Sequence, residues 1–234
     1  MKKVILAFIM FFIMTSASLA DSNVYITQSG ASLDLDITMD GNNNAVGAAN
    51  DRTLLTGANL DVDIDLIGAS NVITGDFIGA GESGSDDLKI NQTGSTNTTA
   101  LNIGSSAATD DVSIIENRIG SSGVTSYLVG SAATVQDVSI TVDVVGDDID
   151  IAISEQSTSS GSDKTTDIDI GTDSDDVDII ITHTGAGAHK TKLLCTGSCA
   201  GSDFTISQTG ANSTDVDLTV TNATSSDVDI TITD

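Results

Sequence analysis

The sequence has no proline and no tryptophan, and its 234 residues include only two cysteines, two histidines and two tyrosines. Without proline, no β-sheet edge in this protein is protected by that residue. Basic residues are also scarce, since 8 lysines and arginines stand against 34 acidic residues, for a net charge of −26. This balance argues against nucleic acid and anionic membranes as partners. Two histidines leave few places for a histidine-based catalytic site, and we expect no enzymatic activity.

Long apolar runs are also missing, apart from one at the N-terminus. Two lysines precede an unbroken apolar run over 4–14, and Ser18-Leu19-Ala20 follows with a small-x-small pattern. This order is typical of a secretory signal peptide, and the run is too short to span a membrane. We therefore expect residues 1–20 to be removed and residues 21–234 to be secreted, to the exterior or the cell surface of a bacterium. No membrane span is expected after signal removal.

The remaining chain alternates apolar residues with aspartate and threonine. The clearest segments are 33–40, 60–66, 149–153, 167–170, 216–220 and 228–233. A period of two predicts β-strands with one apolar and one acidic face, and no helical period is present in this part of the sequence. Glycine, serine, asparagine and aspartate lie between the segments, as is typical of tight turns.

These strand-turn units recur along the chain, so that one position of each can serve as its anchor. Glycine follows most anchors by two positions. The anchors are Gln28, Met39, Leu55, Leu66, Phe77, Gln92, Ile103, Arg118, Leu128, Val144, Glu155, Ile170, His183, Cys195, Gln208, Val220 and Ile232. Such short strands can also build a sandwich or a barrel, but direct self-similarity favours a solenoid.

The predicted fold is therefore all-β, a repetitive strand-turn-strand β-solenoid over residues 21–234, with two units closing each coil. Inside a coil the apolar faces of two strands meet, and each buried Val, Ile or Leu contributes about 1.5–3 kcal/mol. One coil holds too few of them to be stable alone, so stability is expected from stacked neighbours. The same stacking would allow cross-β assembly.

Several repeats have a glutamine at the anchor position or an asparagine five residues after it, where the side chains of stacked coils would meet. The predicted structural ladder residues are Gln28, Gln92, Gln208, Asn44, Asn71 and Asn97. The glutamines lie on the apolar face, where a buried amide needs the partners that stacked amides supply. The alternative is a half-exposed glutamine at a strand end. The predicted turn glycines are Gly30, Gly41, Gly68, Gly94 and Gly210.

The segment 90–97 reads Ile-x-Gln-x-Gly-x-x-Asn, and Ile26-x-Gln28-x-Gly30 and Ile206-x-Gln208-x-Gly210 match it in part. This motif resembles the repeat of the curlin family, the secreted subunits of bacterial curli fibres. The resemblance implies an extracellular functional amyloid, a pilus-like or fimbria-like fibre for cell adhesion and biofilm matrix. It also implies that each repeat forms a strand-turn-strand layer. Export through a dedicated outer-membrane channel and nucleation by a minor subunit are further implications.

Few residues indicate a metal or a cross-link. Cys195 and Cys199 flank a short turn in an exported chain, which predicts a disulfide. His183 and His189 lie nearby, but the spacing is not that of a zinc finger, and we expect no metal site. The outward aspartates form either a solvated acidic face or rows bridged by Ca²⁺, and no known calcium loop is present. No other cofactor is expected.

The leading expectation is a secreted structural protein, a curlin-like subunit that self-associates into an extracellular fibre. The alternative is a monomeric acidic β-solenoid that acts as an adhesin or as a module binding cations, glycans or ice. If cations screen the aspartates, assembly should accelerate in added salt or Ca²⁺ and at low pH.

Overall fold

The alternating segments form parallel β-strands in the structure, a computed structural model. It describes residues 21–29, 32–47, 53–57, 59–79, 86–104, 111–130, 137–156, 163–171, 174–196, 199–210, 213–221 and 224–233. Within these ranges every regular element is a strand. The described part of the chain accordingly offers no helix with the length and apolarity needed to cross a membrane.

The chain forms nineteen strands over the described residues. They are β1 (Asp21–Val24), β2 (Thr27–Ser29), β3 (Asp34–Asp40), β4 (Asn43–Val46), β5 (Thr53–Gly57), β6 (Asp61–Ile67), β7 (Ser70–Gly79), β8 (Asp86–Thr93), β9 (Thr96–Ile103), β10 (Val112–Ile119), β11 (Ser122–Val129), β12 (Val138–Val145), β13 (Ile149–Gln156), β14 (Lys164–Ile170), β15 (Val177–Thr184), β16 (Ala188–Cys195), β17 (Asp203–Thr209), β18 (Ser213–Val220) and β19 (Asp227–Thr233). They belong to two parallel sheets that face each other.

The first sheet, sheet A, has the order β1-β4-β7-β9-β11-β13-β15-β17-β19. Two short strands complete it, because β2 lies on the level of β1 and β5 on the level of β4, where both β4 and β5 pair with β7. The second sheet, sheet B, contains the eight strands β3, β6, β8, β10, β12, β14, β16 and β18. Sheet A therefore has one more level than sheet B.

The chain passes from one sheet to the other at each turn, and the strands stack as a β-solenoid of about seven turns. In the middle of the molecule, register partners such as Val112 and Val138 are 26 residues apart. This distance is the sum of two successive intervals between anchors, such as 11 residues from Gln92 to Ile103 and 15 from Ile103 to Arg118, because one coil contains two strand-turn units. The predicted all-β solenoid fold is confirmed.

The core is the space between the two sheets. Alternate residues of each strand point into it, and columns of aliphatic side chains follow the solenoid axis. In sheet A, Ile153, Ile181 and Ile206 are register neighbours with at most 1% exposure. In sheet B, Ile114 and Ile140 pair and are fully buried. Each coil thus buries its apolar residues against those of the coils on either side.

Candidate functional site

Three asparagines form a continuous amide ladder at one corner of the solenoid. Asn44, Asn71 and Asn97 are register neighbours on β4, β7 and β9, and they are buried. The side-chain amide of Asn44 donates to Asn71 Oδ1 at 3.0 Å, and that of Asn71 donates to Asn97 Oδ1 at 2.9 Å. Each amide also donates at 2.9–3.1 Å to a backbone carbonyl oxygen, those of Ile67, Thr93 and Ile119. The structure therefore brings the three predicted asparagines together.

The same corner contains a column of glycines, which includes three of the predicted turn glycines. Gly41, Gly68, Gly94, Gly120 and Gly146 follow one another along the axis. A Cβ on Gly94 would lie 1.9 Å from the carbonyl oxygen of Gly68, and one on Gly120 would lie 2.2 Å from that of Gly94. No side chain fits into such a gap, so close approach of the coils requires glycine at these positions.

The other two predicted turn glycines do not belong to this corner. Gly210 follows β17 with φ of 77°, and its neighbour in the preceding coil is Gly185. A residue other than glycine would be strained at this φ. Gly30 lies outside the described residues.

The three predicted ladder glutamines do not stack on one another. Gln92 lies in sheet B between Leu66 and Arg118, whereas Gln28 and Gln208 lie near opposite ends of sheet A. Gln92 donates to a backbone carbonyl oxygen at 3.3 Å, and Gln208 donates to a threonine hydroxyl at 3.1 Å. Gln28 is half-buried in the first coil. Each of the two buried amides is thus bonded locally, without an amide partner above or below it.

The asparagine ladder ends where an arginine enters the interior. The next residue in the column after Asn97 is Gly123. A Cβ on Gly123 would lie 2.8 Å from the guanidinium carbon of Arg118, so the glycine leaves room for that side chain. Further along, the column continues with Ile149 and Val177. At this corner, stacked asparagines in the first half of the protein are therefore replaced by packed aliphatic side chains in the second half.

Arg118 belongs to a buried polar network centred on a glutamate. Glu116 Oε1 accepts a hydrogen bond from Thr99 at 2.8 Å, and Oε2 accepts from Thr125 and Tyr127 at 2.9 Å each. Arg118 Nη1 donates to the Thr125 hydroxyl at 2.7 Å. Burial lowers the pKa of Arg118, an effect that the charge of Glu116 opposes. Burial, with the charge of Glu116, raises the pKa of Tyr127 well above its usual value.

A second buried polar cluster lies two coils further along and is bonded less completely. The Thr166 hydroxyl donates to Glu155 Oε1 at 2.8 Å and lies 3.0 Å from His183 Nε2, which is itself 3.5 Å from Glu155 Oε1. The rings of His183 and His189 meet edge to face with centroids 5.6 Å apart. Among the described residues, Glu155 Oε2, His183 Nδ1 and both ring nitrogens of His189 have no hydrogen-bond partner.

Burial changes the pKa values of two groups in this second cluster. Desolvation, followed by Coulombic interactions with Lys164 and His183, lowers the pKa of His189 to about 4. Desolvation also lowers the pKa of Lys164, whereas Glu155 raises it. At neutral pH the cluster therefore holds an uncharged His189. Within the described ranges, no group of three or more His, Cys, Asp and Glu side chains is arranged to hold a metal ion.

Neither buried cluster was predicted, although the signal is present in the sequence. Glu116 and Arg118 follow Val112 and Ile114 on the inward face of β10, and Glu155 follows Ile153 on the inward face of β13. A charged residue on the apolar face of an alternating segment must either be bonded inside or disturb the strand. Which partners bond it depends on the opposite sheet, whose register the alternation does not reveal.

Cys195 and Cys199 are joined by a disulfide in the structure. Their Cα atoms are 6.4 Å apart, and both residues are fully buried. Cys195 ends β16, so the bond ties the last residue of this strand to the turn that follows. Because both sulfurs are committed to the bond, neither serves as a thiolate ligand beside the histidines.

Aspartates occupy much of the outer face of sheet B. Asp34, Asp61 and Asp87 are register neighbours there, and partial desolvation followed by neighbouring aspartate charges raises the pKa of Asp61. These columns are not continuous, because lysine and asparagine interrupt them. Near the C-terminus Lys192 Nζ lies 3.0 Å from Asp167. Repulsion between stacked coils is thereby reduced along the face.

The outer face of sheet A is mostly uncharged over its central columns. Two of these columns are Ala100, Ser126, Ala152, Ile180 and Thr205, and Asn102, Leu128, Ser154, Thr182 and Ser207. Small and hydroxyl side chains dominate both. The two outer faces of the solenoid therefore differ in charge.

The C-terminal end of the solenoid is open. Val228, Ile230 and Ile232 lie on the interior parity of β19, yet they are 42–48% exposed because no further coil among the described residues covers them. In the described part of the chain, β19 pairs only with β17, and β18 pairs only with β16. The last coil thus presents apolar side chains together with two strand edges that have no neighbour on one side.

No protein-family model, curated protein or solved structure matches the chain.

Proposed function

We propose that the protein is a secreted structural subunit that stacks end to end into an extracellular fibre, with adhesion and biofilm matrix as its role. The observation that carries the proposal is the open C-terminal coil, in which Val228, Ile230 and Ile232 remain 42–48% exposed. Exposed apolar side chains beside a free strand edge form a template for another β-strand. Among the described residues, no polar unit of the kind that caps monomeric solenoids covers this end.

The distribution of charge also supports growth at the ends. A net charge of −26 makes side-by-side approach of two copies unfavourable, above all through the acidic face of sheet B. At the ends, burial of apolar surface and formation of backbone hydrogen bonds oppose this repulsion. The curlin-like motif at 90–97 and the signal-peptide pattern agree with an exported fibre. By the same resemblance, an outer-membrane channel and a nucleating subunit are its partners.

The test is a charge placed on the interior face of the last strand. In the variant Ile230→Lys, a charged side chain would have to be buried at the joint between copies, which opposes stacking. The solenoid itself is retained, because this residue packs on one side only. We expect the variant to lose fibre formation, measured by sedimentation and electron microscopy, at the concentration at which the unmodified protein assembles.

Thr231→Lys is the matched control. It places the same charge on the same strand, but on the outer face, where it stays in water after stacking. We expect Thr231→Lys to assemble as the unmodified protein does. Equal assembly of both variants, or no fibres from the unmodified protein, would contradict the proposal.

A second candidate function is favoured by the neutral face of sheet A. Thr184, Thr209 and Thr233 are register neighbours on that face and are exposed. A monomeric solenoid could use this regular hydroxyl array to bind glycans or ice, and the aspartates of sheet B to bind cations. Monomeric protein at all tested concentrations, together with binding to a glycan array or inhibition of ice growth, would favour this function over the fibre.

A further inference from the structure

The first and the last strands among the described residues belong to the same sheet, which restricts how two copies can join. Sheet A has nine levels, of which β1 and β2 form the first and β19 forms the last. Sheet B has eight levels. When a second copy continues sheet A by one level, its β3 lies two levels beyond β18. Identical copies therefore cannot continue both sheets without interruption.

The register of sheet A continues across such a joint without adjustment. The column that ends at Val228 begins at Val24, and the column that ends at Ile230 begins at Ile26. In the first coil Tyr25 alone separates Val24 from Ile26, and in the last coil Asp229 alone separates Val228 from Ile230. The segment 23–29 of one copy can thus pair in parallel with the segment 227–233 of another, residue for residue.

The side chains that would meet inside this joint are mainly apolar. Continuing each column places Val24 over Val228 and Ile26 over Ile230, and it places half-buried Gln28 over Ile232. The exposed interior side chains of β19 would be covered by residues of the same kind that cover the other coils.

Charge distinguishes this arrangement from a symmetric one. On the outer face, Asp227 and Asp229 would meet Asn23 and Tyr25, which are uncharged. If two C-terminal ends met instead, the aspartates of one β19 would face those of the other, and like charges one strand apart repel. A symmetric joint would also close after two copies, whereas a head-to-tail joint leaves an open end for growth.

We propose that copies join head to tail through sheet A alone, with β19 of one copy pairing in parallel register with β1 and β2 of the next. This inference rests on the proposed fibre function. In sheet B the joint leaves one strand position open between β18 and the next β3, so these two edges stay about 10 Å apart, twice the strand spacing. Each joint therefore has one continuous sheet and one interrupted sheet.

The test uses cysteine pairs on the outer faces, in the chain that begins at Asp21 after export. In Tyr25→Cys with Asp229→Cys, the proposed joint brings two Cα atoms of different copies to about 4.8 Å, within disulfide range. In Asp36→Cys with Asp217→Cys, the two residues belong to one column of sheet B, but the open level keeps them beyond that range. The native cysteines stay buried and paired in both variants.

Oxidised assemblies of the first pair should give a ladder of cross-linked multimers on a non-reducing gel, and those of the second pair should give none. A ladder from the second pair, or dimers from Asp229→Cys alone, would overturn the single-sheet joint. Hydrogen exchange on the unmodified protein supplies a check without substitutions. Assembly should protect the amides of β19 strongly and leave the outer-edge amides of β18 exchanging.

The outcomes separate the inference from the function on which it rests. Fibres whose β18 and β19 amides become equally protected would overturn the joint and leave the fibre function standing. Protein that sediments as a monomer under all conditions, with no cross-links from any variant, would overturn both.

Discussion

Among the described residues, each half of the solenoid buries one glutamate, and the two glutamates differ in how completely they are hydrogen-bonded. Glu116 accepts three hydroxyl hydrogen bonds and has Arg118 in the same network. Glu155 accepts one from Thr166 at one oxygen and has no hydrogen-bond partner at the other in the part of the chain that the structure describes. Both side chains are fully buried between the two sheets.

This difference accompanies a change in how the coils are held together. The first half has the amide ladder and the glycine column at its corner, whereas the second half has aliphatic residues there and two histidines in its interior. Buried polar groups stabilise a fold when they are fully bonded and weaken it when they are not. In the first half the carboxylate of Glu116 is bonded at both oxygens, although Arg118 Nη2 and Asn44 Oδ1 have no hydrogen-bond partner among the described residues. We therefore expect the first half to tolerate substitution less well, and the second half to be more sensitive to acid.

The largest effect is expected at the glycine column. Gly94→Ala places a methyl group 1.9 Å from a backbone carbonyl oxygen, so two coils must separate, at a cost of about 3–5 kcal/mol. Gly171→Ala is the comparison in the second half, where the nearest atom at 2.8 Å belongs to the side chain of Val145, which can move. We expect a loss of about 1 kcal/mol there. Urea denaturation measures both, and equal losses would remove the distinction between the halves.

Replacing each buried glutamate by glutamine compares their contributions to the free energy of unfolding. Glu116→Gln turns an acceptor of three hydroxyl bonds into a group with one acceptor atom and should cost about 3 kcal/mol. Glu155→Gln should cost about 1 kcal/mol, because its nitrogen can occupy the place of the oxygen that has no partner. The free energies of unfolding of both variants test this order. A larger loss for Glu155→Gln would show that its contact with His183 and its attraction to the charge of Lys164 outweigh the missing hydrogen bonds.

A smaller effect is expected within the amide ladder. Asn71→Ala removes the acceptor of the Asn44 amide and the donor to Asn97, leaving buried polar atoms without partners, and should cost about 2 kcal/mol. Asn23→Ala, at an exposed position of the first coil, is the control and should change the unfolding free energy by less than about 0.5 kcal/mol. If both substitutions were neutral, the ladder would not contribute to stability.

The smallest predicted effect depends on pH. The pKa of His189 is about 4 in the folded protein against 6.5 in an unfolded chain, so the unfolded state binds more protons below pH 6.5. Stability should therefore fall as the pH decreases from 6.5 towards 4, by about 1–2 kcal/mol between pH 7 and pH 5 from this residue. Raised carboxyl pKa values, such as that of Asp61, act in the opposite direction.

The contribution of His189 is isolated by substitution. His189→Leu removes the titrating group, so its unfolding free energy should depend less on pH over this range than that of the unmodified protein. Denaturation of both proteins at pH 7, 6 and 5 provides the measurement. Parallel pH profiles would contradict the assignment.

Much of the fold could be predicted from the sequence because alternation and turn residues are local signals. Almost every anchor lies on an inward position of its strand, with one exception. Leu128 points outward, and its neighbour Val129 is the buried residue of that column. Leu128 and Val129 are both apolar, so the alternation does not distinguish them. Gly130 lies two residues after Leu128, as glycine does after most anchors, and this spacing places the anchor one residue too early.

The interior partners could not be predicted in the same way. Asn44, Asn71 and Asn97 recur at one offset from their anchors, and that repetition marks a ladder. Gln92 and Gln208 share an offset too, but they belong to different sheets, which local sequence does not specify. The bonds of Glu116 to Thr99 and Tyr127 cross between the sheets and depend on side-chain length and position together.

X-ray diffraction from aligned assemblies of the chain that begins at Asp21 tests the central claim most directly. Stacking of solenoids end to end predicts fibres with a meridional reflection at about 4.7–4.8 Å, the spacing of strands along the axis. Protein that remains monomeric at high concentration and in added salt, or fibres whose strand spacing lies across the fibre axis, would contradict it.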